Sequence, residues 1–206
     1  MIHPHTRIQF INEDMGYGVF ATQFIPRGTI TYVKDSLELE VFPEAYQAYS
    51  PEMQEVIEKY SYIDERGVRI ISWDFAKYVN HCCNCNTMST GYGFEMAIRD
   101  IHPGEEITDE YGIFNIPEEM GLFCKHENCR LKVQPDDFDR YYPKWDEQLK
   151  AALAFFSGVE QPLFPLLDLS TQAEVRAFLD DPGKYKSVYA LKFQPQPMLN
   201  GVGKAR

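Results

Sequence analysis

The chain has 206 residues, five of them cysteine, and 31 Asp and Glu against 20 Lys and Arg give a net charge of -11. That length with a 44% hydrophobic share fits one domain, or one domain with a helical appendage, and a core that folds without staples. The acidic balance argues against a phosphate-dominated nucleic-acid binder, which needs a concentrated Lys/Arg surface, and favours a basic partner.

Short β-type runs come first, at residues 7–11, 18–21, 29–33, 37–41, 68–71 and 94–98, punctuated by turn signals such as Pro26-Arg27-Gly28 and Pro103-Gly104. Within this set, residues 43–60 carry Tyr46, Tyr49, Met53, Val56, Ile57 and Tyr60 at helical spacing, interrupted by Ser50-Pro51, which predicts two short helices inserted on a β scaffold. After Cys129 the composition shifts. Trp145, Leu149, Ala152, Leu153 and Phe156 predict an amphipathic helix ended by Ser157-Gly158, and Thr171-x-x-Glu174 reads as a capping box for a helix running to Asp180. The acidic run at Asp136, Asp137 and Asp139 reads as a solvated loop, and residues 194–197 and 201–206 as a loose tail. No run is long or apolar enough to span a bilayer, and the first residues show no basic-then-apolar leader, so a soluble intracellular protein is expected. The fold class expected is mainly β with α insertions, an α+β arrangement of small sheets.

Gly16-Tyr17-Gly18 follows a strand, and two glycines flanking one residue let backbone approach a ligand closely or take positive φ. It is not a dinucleotide fingerprint, since no third glycine opens a helix. Gly91-Tyr92-Gly93 reads as a β-bulge or tight hairpin. The cysteines are bunched, as Cys82, Cys83 and Cys85 and as Cys124 and Cys129, which suits thiolate metal ligation in a reducing compartment better than a disulfide framework.

The segment Asn80-His81-Cys82-Cys83-Asn84-Cys85-Asn86 resembles the Asn-His-Ser-Cys-x-Pro-Asn segment of the SET-domain protein lysine methyltransferases. Asn80, His81, Cys83 and Asn86 match, while Cys82 and Cys85 replace Ser and Pro. Downstream, Gly104-Glu105-Glu106-Ile107-Thr108-Asp109-Glu110-Tyr111-Gly112 is similar to the family's Gly-Glu-Glu-Leu-Thr-x-Asp-Tyr-Gly, with Asp109 where Phe or Tyr is common. The resemblance covers roughly residues 5–130 and implies a SET fold of small curved sheets with a pseudoknot. The domain is expected over residues 1–130, with the helical insertion at 43–60, a post-SET-like segment at 121–130 and a C-terminal helical extension over 131–206.

By resemblance, S-adenosylmethionine (AdoMet) is the cosubstrate, contacted by Gly16, Tyr17, Gly18, Asn80, His81 and Tyr111, with Phe123 stacking on its adenine or merely packing. Tyr111 is the implied catalytic tyrosine, and Tyr32 is either a wall of the substrate-lysine channel or an ordinary strand aromatic. The chemistry suits such a site. The nucleophile in methyl transfer from a sulfonium is a neutral amine, whereas a free lysine with a pKa near 10.4 is mostly charged at pH 7. Desolvation and the neighbouring sulfonium both favour its deprotonation, and a phenol oxygen can orient the lone pair. The segment Cys124-Lys125-His126-Glu127-Asn128-Cys129 resembles a contracted post-SET cluster. Tetrahedral Zn²⁺ is expected on Cys83, Cys124, Cys129 and His126, with Cys85 the next candidate for the fourth place. The expected partner is a basic, lysine-containing protein, with neither nucleic acid nor membrane; the alternatives are a SET-like module that binds AdoMet or protein without turnover, and a zinc-stabilised interaction protein.

Overall fold

The structure, a computed structural model, describes residues 1–124 and 126–195. The expected tail at 201–206, and half of the one at 194–197, lie outside them. In chain order come β1 (Thr6–Asn12), β2 (Gly16–Ala21), β3 (Ile30–Val33), β4 (Leu39–Val41), α1 (Pro43–Ala48), α2 (Pro51–Tyr60), β5 (Ser61–Ile63) and β6 (Arg69–Ile71). They are followed by β7 (Asn80–His81), β8 (Thr87–Ser89), β9 (Phe94–Ala97), β10 (Glu106–Asp109), β11 (Met120–Gly121), β12 (Lys132–Val133), α3 (Asp137–Leu153) and α4 (Leu169–Asp180).

The strands form small sheets with orders β1-β2-β10-β7, β3-β9-β8, β4-β6-β5 and β11-β12. This is the mixed α+β SET arrangement that the motifs imply. β3 is Ile-Thr-Tyr-Val, rich in β-branched side chains and buried along its whole length, so it pairs with β9 inside the molecule. The two inserted helices form as expected. Ser50 caps α2 by accepting from the Met53 backbone N–H, and Pro51 occupies the first turn, where its missing N–H costs nothing.

One large core joins Ile30, Met88, Phe94 and Met96 of the strands to Leu149, Leu153, Val175 and Val188 of the C-terminal region. A second, smaller core gathers Val19, Ile25, Ile101 and Ile107. The C-terminal helices therefore complete the core of the sheets. Gly112 shows how closely: a Cβ there would lie 2.9 Å from the Trp145 ring, so only glycine admits the indole of α3.

Three expectations change. α3 begins at Asp137, eight residues before Trp145, so the acidic run is a helix start rather than a solvated loop. Asp137 is buried and paired with Arg130 at 3.3 Å, which favours a carboxylate at a helix N-terminus. Phe138 is also buried and anchors the first turn ahead of Pro143, the residue that makes an earlier start hard to foresee. At α4 the cap is Asp168, whose carboxylate accepts from the Ser170 and Thr171 backbones, and Thr171 itself lies inside the helix. Gly91-Tyr92-Gly93 forms the β8–β9 hairpin connection, as expected.

Candidate active site

Two segments far apart in sequence meet at the site. β7 runs parallel to β10, with Asn80 opposite Thr108 and His81 opposite Asp109. β2 lies on the other edge of β10, bringing Gly16-Tyr17-Gly18 to the same sheet. Gly16 has φ +72, and a Cβ on Gly18 would sit 2.6 Å from Glu106 Oε1 and 3.1 Å from Asn80 Nδ2. A side chain at position 18 would thus displace the amide of Asn80. That amide is held firmly, since Nδ2 donates to the Tyr17 carbonyl at 3.1 Å and to Glu106 Oε1 at 2.8 Å.

His81 is turned inward. The Tyr111 backbone N–H donates to its Nδ1 at 3.2 Å, which puts the ring proton on Nε2, 3.3 Å from Cys83 Sγ. Burial, with the charge of Arg130 as a second cause, pushes its pKa down to about 4, so the ring is neutral at pH 7. Both ring nitrogens are committed to the protein. The imidazole is therefore a strut between the Asn-His segment, the Tyr111 segment and the cysteines, and leaves only backbone atoms at this position for a ligand.

Tyr111 donates its hydroxyl to the Val79 carbonyl at 2.6 Å. Burial raises its pKa, and the carboxylates of Asp109, Glu95 and Glu106 add to the effect, so the phenol stays protonated. It faces a cavity of about 640 Å³ that Asn80, Tyr32, Asp109, Glu95 and Phe123 also line. Tyr32 lines this cavity and is held in place: its hydroxyl donates to Glu38 Oε1 at 2.8 Å and accepts from Ser72 Oγ at 3.1 Å. Burial pushes its pKa far up, with Tyr62 and Glu38 adding. Phe123 is 66% exposed, so it has an open face and little packing. A second cavity of about 130 Å³ shares Tyr32, Tyr62 and Glu95 as walls and is also lined by Asp64 and Glu65.

Beside this site, Cys83, Cys124 and Cys129 bring their sulfurs within 4.8 Å of one another. Cys83 and Cys129 are 3.9 Å apart, close to the edge of about 3.8 Å that a tetrahedron with Zn–S bonds near 2.3 Å requires. The sulfurs also collect backbone N–H groups: Cys83 N–H reaches Cys124, Arg130 N–H reaches Cys83, and Leu131 N–H reaches Cys129. Burial opposes ionisation of Cys124, yet the backbone N–H groups of Cys83 and His126 and the neighbouring thiols overcome it and hold the thiol below its ordinary pKa. The donor set fits zinc through three sulfurs. Two sequence expectations do not join it. His126 stands outside the cluster, its Nδ1 accepting from the Asn128 backbone instead, and Cys85 is buried in the large apolar core.

Sequence reasoning missed the clamp that holds this region together. Glu110 is 4% exposed and pairs with Arg130 at 2.5 Å, while its Oε1 accepts from Gly112 N–H. Burial raises the Glu110 pKa, and Arg130 offsets part of that. Arg130 in turn meets Asp137 and packs over the Tyr141 ring at 5.0 Å, tying the cysteine segment to both β10 and α3.

These elements define a SET-type domain, built from small sheets around the paired Asn-His and Tyr segments. A family model described as "SET domain" matches residues 16–112. The Variant-silencing SET domain-containing protein of Plasmodium falciparum (isolate 3D7) is 31% identical over 135 residues, covering 57% of this chain and 5% of that protein's length. Among solved structures, KRYPTONITE in complex with mCHG DNA and SAH is 19% identical, covering 59% of this chain and 27% of that one, with a TM-score of 0.42. The methyltransferase domain of human Histone-lysine N-methyltransferase SETMAR is 15% identical, covering 65% of this chain and 58% of that one, with a TM-score of 0.43.

Proposed function

We propose that this protein transfers a methyl group from AdoMet to the ε-amine of a lysine in a basic protein. The observation that carries the reading is the parallel pairing of β7 with β10, which makes Asn80 and Tyr111 walls of one 640 Å³ cavity together with Tyr32. AdoMet enters this cavity past Asp14 and Met15, in the turn that leads into Gly16–Gly18 of β2. Asn80 Nδ2 is already spent on two protein acceptors, so its carbonyl oxygen is the atom left for a donor on the ligand. Residue 81 contributes backbone, and the exposed face of Phe123 offers a surface for the adenine.

The lysine arrives through the smaller cavity, between Tyr32 and Tyr62, where Asp64 and Glu65 attract a basic segment. Tyr111 holds its phenol proton and its place through the Val79 carbonyl, and its ring and oxygen orient the amine for in-line attack. Zinc on Cys83, Cys124 and Cys129 supplies structure, fixing the segment around Phe123 against the Asn-His segment. The domain spans about residues 1–130, with residues 131–206 as an extension whose described part, to residue 195, shares its core.

Titration calorimetry tests the cosubstrate. The wild-type chain should bind AdoMet, and Asn80→Ala should weaken binding at least about tenfold, the scale of a lost buried polar contact. A wild-type chain that releases no heat and shows no protection with AdoMet would end this reading.

A further inference from the structure

Asp109 is 1% exposed, and its Oδ1 accepts from the Glu110 backbone N–H at 2.7 Å, while its Oδ2 has no hydrogen-bond partner. An unpartnered buried carboxylate oxygen is costly unless a ligand satisfies it. This one belongs to a wall of the same cavity as the Tyr111 ring, and Glu95 of β9 stands beside it on that wall. We propose that Asp109, backed by Glu95, is the seat that receives the cationic amine at the inner end of the cavity and takes its proton before the methyl group is transferred. The inference rests on the methyl-transfer reading and names the proton acceptor within that site.

The step balances. The ammonium gives one proton to Asp109 Oδ2, leaving a neutral amine and a carboxylic acid. The amine lone pair then forms the N–C bond as the C–S bond breaks, its electron pair returning to sulfur and converting the sulfonium to a thioether. The methylated amine leaves as a cation, and Asp109 returns its proton to solvent. Glu95 lines both cavities, so it stands on the route outward.

The surroundings fit a proton acceptor. Burial pushes Asp109 up to about 6, with Glu110 adding, while the Glu110 backbone N–H and the neighbouring Glu95 carboxyl pull it partly back. Burial and then the charge of Asp109 push Glu95 well above the usual carboxylate range. The two carboxyls therefore share a negative charge and a proton between them. The other titratable groups facing Asp109 are Tyr111, Cys85 on the loop beyond β7, both raised by burial first, and neutral His81 on β7. Among the cations, the N-terminal ammonium acts on Glu95, and Arg130 is paired with Glu110. A carboxylate with a pKa near 6 takes a proton from a desolvated ammonium more readily than one near 4 does.

The test uses the full chain and Asp109→Asn. With n-butylamine as the probe, calorimetry at pH 7.5 should show the variant binding at least about tenfold more weakly than wild type; equal affinity would overturn the seat. In single turnovers the variant should be about 100-fold slower at pH 7, with the gap closing toward pH 10, where the amine is itself neutral. A deficit independent of pH would overturn the proton step. A wild-type chain that binds butylamine through Asp109 yet transfers no methyl would uphold the seat and fail the methyl-transfer reading alone. The variant should fold, because it removes a buried charge. The folded chain keeps the Asp109 proton up to about pH 6 and the unfolded chain only to about 3.8, so stability falls as pH rises between these values and Asn abolishes the fall. Independently of any variant, the carboxyl ¹³C resonance of Asp109 should titrate near pH 6 and move toward its protonated position on adding butylamine; movement the other way would mean an ion pair without proton transfer.

Discussion

Arg130→Met should lower the unfolding free energy by about 3 kcal/mol, the lower end of what breaking one side of a buried ion pair costs. The reason is geometric. Glu110 lies almost fully buried under Gly112 and keeps its charge because Arg130 Nη2 meets it at 2.5 Å. Methionine fills much of the same volume, so the loss reports the stranded carboxylate rather than a cavity. Two further outcomes separate this cause from simple repacking. The deficit should shrink at acid pH, where protonated Glu110 costs little to bury, and Glu110→Gln added to Arg130→Met should recover part of it. Urea denaturation measures all three, through a shifted midpoint at unchanged slope. A midpoint within error of wild type at neutral pH would mean that the clamp contributes nothing.

Removing zinc should be at least as damaging. The three-sulfur cluster ties residue 83 to residues 124 and 129, closing loops of roughly 40 residues, so metal binding is folding free energy for this region. The purified chain should carry about one zinc, and a strong chelator should lower the melting temperature by roughly 10 °C or more, the size expected for a loss of several kcal/mol in a chain of this length. Cys124→Ser should reproduce the loss. His126→Ala should keep the metal, because that ring stands outside the cluster and serves the Asn128 backbone. A metal-free chain with an unchanged melt would remove zinc from the account.

Much of this molecule was legible in the residues. The β-branched runs of β3 and β6 and the Ser50-Pro51 break between α1 and α2 announce themselves through local chemistry. β7 and β10 do not. β7 has two residues and β10 four, too few to show periodicity, and they are strands because they pair with each other, residue for residue, 28 positions apart in the chain. The His126 expectation failed for a related reason: spacing keeps donors near in sequence, but the turn closed by Cys129 N–H on the His126 carbonyl directs the ring to a local backbone donor. The start of α3 was obscured by Pro143 and by reading three aspartates as solvent-seeking, when one of them is neutralised by an arginine seven residues earlier. Asp109 was visible as a departure from the motif. What the sequence does not display is Glu95, fourteen residues before it, facing the same cavity from β9, because that proximity is created by strands packing and not by spacing.

The central claim, methyl transfer to lysine, is tested most directly by mass spectrometry of a panel of basic proteins incubated with the purified chain and deuterated-methyl AdoMet. The account predicts a mass increase of one or more labelled methyl groups on lysine in at least one protein of the panel, reduced about 100-fold or more by Tyr111→Phe, which removes the phenol oxygen while keeping the ring. Label on no lysine with wild-type protein that binds AdoMet, or undiminished labelling by the Tyr111 variant, would contradict it.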